Sequence, residues 1–68
     1  MNKNNHSSKE VWGVEISDDK RLLHVTYHVF ANSAARAEKK GLEIAKSDKE
    51  YEFKKPYCQK AYFEFYVY

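Results

Sequence analysis

The sequence predicts an α+β fold of order β-β-α-β, with one helix packed on one face of a three-stranded, mainly antiparallel sheet. Three observations lead there. Two stretches flanking the turn cluster Ser17-Asp18-Asp19-Lys20 alternate apolar and polar residues with a period of two. A run rich in Ala, Glu, Lys and Leu follows the capping residues Asn32 and Ser33. The chain then closes on Ala-Tyr-Phe-Glu-Phe-Tyr-Val-Tyr, nearly all of it strand-forming.

The first strand is expected from Val11 to Ser17, with Trp12, Val14 and Ile16 sharing a face. The second is expected from Arg21 to Ala31. Leu23, Val25, Tyr27 and Val29 line one side of it, and Leu22, His24, Thr26, His28 and Phe30 the other. A hairpin with Trp12 opposite Tyr27, Val14 opposite Val25 and Ile16 opposite Leu23 keeps the apolar residues together and leaves a loop from Asp18 to Arg21. It also sets Glu15 opposite His24. The helix is expected from Ala34 to about Asp48. Its apolar arc of Ala34, Ala37, Gly41, Ile44 and Ala45 is made mostly of small residues, which let a helix axis approach a sheet already filled by large side chains. Arg36, Lys39, Glu43, Lys46 and Glu50 mix signs on a solvated face.

Tyr51 to Lys60 reads as a connecting loop broken at Lys54-Lys55-Pro56. In the last strand, from Ala61 to Tyr68, Phe63, Phe65 and Val67 fall on one face and Tyr62, Glu64, Tyr66 and Tyr68 on the other. The most economical order places the first strand in the middle, with a right-handed crossover leading into the third. Residues 1–9 read as a disordered tail and 10–68 as a single domain.

With 68 residues the chain buries only about 60% of its unfolded surface. A single cysteine, Cys58, allows no internal disulfide. Yet 43% of the residues are hydrophobic and 16% aromatic, so association with another chain is the expected source of the missing stability. A net charge of +2 is too small to imply nucleic acid by itself. Met1 to Glu10 has no apolar core of a signal peptide, no run is long enough to span a membrane, and the lone thiol suits a reducing compartment; the expected location is cytoplasmic.

The candidate site is the sheet face that the helix leaves open. It is expected to carry His24, His28, Phe30, Tyr62, Glu64, Tyr66 and Tyr68, together with Val11, Glu15, Leu22 and Thr26. Tyrosine and apolar residues with few charges mark an interaction surface. The expected function is a small non-enzymatic binding module of inhibitor or adaptor type. It acts by protein–protein contact with itself, as a homodimer or higher oligomer, and with a larger protein partner. Small regulators encoded by viruses and mobile elements have this size and composition. One alternative is single-stranded nucleic acid or a nucleotide on the tyrosine and histidine face, with Lys54, Lys55 and Lys60 near the phosphates; Glu15 and Glu64 would then sit among the bases. Another is a small nuclease using His24 or His28. These histidines lie four apart on a strand, about 13 Å, too far to share a metal. Glu15 with His24 reads as a cross-strand polar pair lacking a nucleophile, and Cys58 as an incidental thiol that Lys55 and Lys60 could make somewhat more acidic. No cofactor is expected.

Overall fold

A computed structural model describes residues 9–67. The order is β1 (Lys9–Asp18), β2 (His24–Phe30), α1 (Ala34–Ser47) and β3 (Pro56–Val67). The sheet runs β2-β1-β3, and both hydrogen-bonded pairings are antiparallel. The expected β-β-α-β architecture is therefore present, with the first strand in the middle. The expected tail lies outside the described residues except for Lys9, which opens β1.

A central strand is covered on both sides, and β1 shows it. Val14 and Ile16 are fully buried beneath α1, and Val11 is nearly buried on the opposite face. The small-residue stripe acts as expected. Ala37, Gly41 and Ala45 are the buried positions of α1, while Ala34 and Ile44 are exposed. A Cβ added at Gly41 would fall 2.8 Å from Val14 Cβ and closer still to Cγ1. The helix thus rests its backbone on a β-branched residue of the central strand, and only glycine permits that approach. Trp12, Tyr27, Leu42, Phe53, Cys58 and Ala61 close around this core. Ser33 caps the helix by accepting from the Arg36 N–H at 3.2 Å. At the other end the Tyr27 hydroxyl donates to Asp48 at 2.7 Å; burial, first, and this carboxylate push the Tyr27 phenol well above its ordinary pKa.

The hairpin register differs from the expected one by two residues. Trp12 faces Val29, Val14 faces Tyr27 and Ile16 faces Val25. A two-residue slip leaves every side chain on its face, so the hydrophobic pattern cannot distinguish the two registers. What distinguishes them is the loop. Arg21 leaves the strand to donate to the Tyr51 and Glu52 carbonyls at 2.8 Å each, and Leu22 and Leu23 stay outside β2.

β3 starts at Pro56, not Ala61, so half of the expected loop is strand. Proline is tolerated there because it is the first residue of an edge strand. The cause is Asp18. Its carboxylate accepts the N–H groups of Lys20 at 2.9 Å, Lys54 at 2.7 Å and Lys55 at 3.0 Å, while Asp19 N–H donates to Lys55 O at 3.0 Å. These bonds hold the entry to β3 against the end of β1. Burial alone would raise the Asp18 pKa; the three N–H donors and the Arg21 charge outweigh it and hold the carboxyl below its usual value.

Candidate functional site

Two β-bulges decide which β3 side chains share a face. Along β1 the partners step from Phe65 at Val11 to Phe63 at Trp12, and from Lys60 at Glu15 to Cys58 at Ile16. Glu64 and Gln59 are the extra residues. Each insertion shifts the alternation by one. Phe65, opposite Val11, therefore lies on the open face, as does Val67, opposite Lys9. Tyr66, opposite Glu10, turns to the helix side, where its ring stands 4.8 Å from Phe63, itself 5.9 Å from Trp12. The expected grouping of Phe63, Phe65 and Val67 against Tyr62, Glu64 and Tyr66 is corrected accordingly: Tyr66 is not on the open face. Tyr68 lies outside the described residues, and Leu22 sits in the hairpin loop, wholly exposed. His24, His28, Phe30, Tyr62 and Glu64 are brought together on the open face as expected.

That face has a polar middle. His24 Nε2 lies 3.4 Å from Glu15 Oε1, although Thr26, not His24, is the direct partner of Glu15. His28 Nε2 lies 3.6 Å from Glu64 Oε2. Tyr62 lies flat across Gly13: a Cβ there would sit 2.6 Å from its ring. The Lys60 ammonium rests 5.3 Å from the Tyr62 ring centroid. Partial desolvation, then the Glu64 and Glu15 charges, push the Tyr62 phenol upward.

One polar link escaped the sequence reading. Ser17 Oγ is 2.8 Å from His24 Nδ1 and donates to Gln59 Oε1 at 2.9 Å. A serine, a histidine and Glu15 thus stand in a row. Ser17 is buried in the middle of the sheet, between His24 and Tyr57, and its proton goes to Gln59. A nucleophilic serine needs that proton on the histidine and an open approach. The row therefore ties three strands together. The expected register hides it, since it sets His24 opposite Glu15 and not Ser17. Cys58 faces Ile16 on the helix side; burial, then the Glu38 charge, raise its pKa, the reverse of activation by lysine. Among the described residues no cluster of three His, Cys, Asp or Glu side chains is placed to hold a metal ion.

The remaining feature is apolar. Val11 is flanked by Phe30 on β2 and Phe65 on β3, a row across the open face. Around the same end Phe30, Phe63, Phe65, Tyr66 and Val67 are 39–52% exposed. The helix cannot cover Phe30, Phe65 and Val67, because they lie on the sheet face opposite α1. Lys9 lies over the Phe30 ring, and a hollow of about 370 Å³ opens beside it between Arg36 and Lys40.

Compared with known proteins, the chain matches no family model, no curated protein and no solved structure. No described helix is long and apolar enough to cross a membrane.

Proposed function

We propose that this protein is a non-enzymatic binding module that acts by protein–protein contact, first with its own copies and, once assembled, with a larger partner that it occludes or bridges. The observation that carries this is the cluster of Phe30, Phe63, Phe65, Tyr66 and Val67, exposed on both sides of an edge strand at one end of the sheet. Aromatic residues in contiguous exposed patches are the anchors of protein interfaces. Edge strands are normally blunted by charge or proline; from Tyr62 to Val67 β3 has a single charge, Glu64. The cations Lys9, Arg36 and Lys40 border the patch at Phe30, so the larger partner is an apolar protein surface rimmed by carboxylates. An inhibitor or adaptor role, and origin in a virus or mobile element, are associations from size and composition alone; a lone thiol fits the cytoplasm.

Single-stranded nucleic acid is disfavoured by the same geometry. Tyr62 turns one face onto Gly13, and Glu15 and Glu64 stand beside it where phosphates would have to pass.

The test is the mass in solution by light scattering, from low to high micromolar, for the wild type and for Phe65→Ser. The wild type is expected at twice the 8.1 kDa chain mass or more, and the variant at the chain mass. A wild type that stays monomeric throughout overturns the reading.

A further inference from the structure

We infer that β3 pairs with β3 of a second copy of this chain, antiparallel about a two-fold axis at Tyr62, to give one continuous sheet of six strands. The inference rests on the contact reading above and names both its partner and its register. β3 is the longer of the two edge strands, with 12 residues against 7 for β2, and an edge strand offers a row of unpaired N–H and C=O groups. Closed two-fold pairs are the commonest soluble assembly. In such a pair the residue on the axis faces its own copy, and all others pair symmetrically about it.

Three features select Tyr62. The first is overlap. β3 is centred between Ala61 and Tyr62, so an axis at either residue uses nearly the whole of it, and the charges then choose Tyr62. The second is charge. Lys60 and Glu64 both lie on the open face, and an axis at Tyr62 sets Lys60 of each copy opposite Glu64 of the other. Moving the axis to Ala61 or Phe63 removes both ion pairs; moving it to Lys60 or Glu64 places like charges face to face, which is destabilising. Within one chain Lys60 and Glu64 are about 13 Å apart along the strand and cannot pair. The third is shape. The bulges at Gln59–Lys60 and Glu64–Phe65 flank Tyr62 on either side, so each bulge meets the other copy's bulge and the changes of face coincide. The exposed Tyr57 then meets Val67 on the open face, and on the helix side Phe63 meets Ala61 and Tyr66 meets Cys58. Phe30 and its cations stay free at both far ends for the larger partner.

The experiment uses Lys60→Glu and Glu64→Lys, separately and mixed. Alone, each variant places two like-charged pairs across the axis; mixed one to one, the heterodimer regains two opposite pairs. Each variant alone is expected to dissociate roughly ten- to a hundredfold more readily than the wild type, and the mixture to recover the wild-type constant, read by sedimentation equilibrium at low salt. Recovery on mixing also shows that both variants are folded. A wild-type dimer that Phe65→Ser breaks, but that neither charge variant weakens, overturns this register and leaves the contact reading standing. A wild-type monomer overturns both. Variants that weaken association without recovering on mixing also overturn the register, since the charges then act within one chain.

Discussion

The two ends of the sheet are built by opposite means. At the Asp18 end, polar groups do the closing: one carboxylate gathers three backbone N–H groups, and Arg21 holds two carbonyls of the loop after α1. At the far end the aromatic rings of Phe30 and Phe65, on either side of Val11, stay half exposed. The difference teaches that apolar composition alone does not bring burial. A side chain is buried when another element lies over its face of the sheet, and α1 lies on the face opposite Phe30, Phe65 and Val67.

The largest effect is expected beneath the helix near the Asp18 end. Ile16→Ala removes a fully buried side chain and should lower folding stability by about 2–5 kcal/mol in urea denaturation. A loss under about 1 kcal/mol would mean that this end is not the tightly packed one.

Acid sharpens the comparison further. The Asp18 pKa is lowered in the folded state relative to the ordinary 3.8, so its contribution is fully present above that value and is lost as pH falls through the folded pKa. The melting temperature should therefore drop between pH 5 and pH 2, and Asp18→Asn should be less stable at pH 7 with a shallower acid dependence. Equal acid dependence in wild type and variant would remove Asp18 from its closing role.

The smallest effect on folding belongs to the far end. Phe65→Ser deletes a large aromatic that is already half in water, so in the monomer at low concentration it should cost about 1–2 kcal/mol, less than Ile16→Ala. A cost comparable to Ile16→Ala would mean that Phe65 serves the monomer's own core.

Element order, strand order and the helix stripe were legible in the residues. Period-two alternation needs only local chemistry, and Ala37, Gly41 and Ala45 announce a close helix approach because no other stripe of small residues would let the backbone reach Val14. About half of the candidate site was legible too: His24, His28, Phe30, Tyr62 and Glu64 share the open face, as alternation requires. Tyr66 was misplaced because Glu64 is inserted as a bulge, and a single extra residue inverts the parity of all that follows.

By itself, then, the sequence determined the α+β class, the middle place of β1 and the side of the sheet that α1 covers, since these follow from local periodicity and residue size. Only the tertiary structure decided the hairpin register, the early start of β3 at Pro56, the bulges and the Ser17–His24 link. Each of these depends on bonds between residues far apart in the chain, above all those of Asp18 to Lys54 and Lys55, which no local pattern encodes.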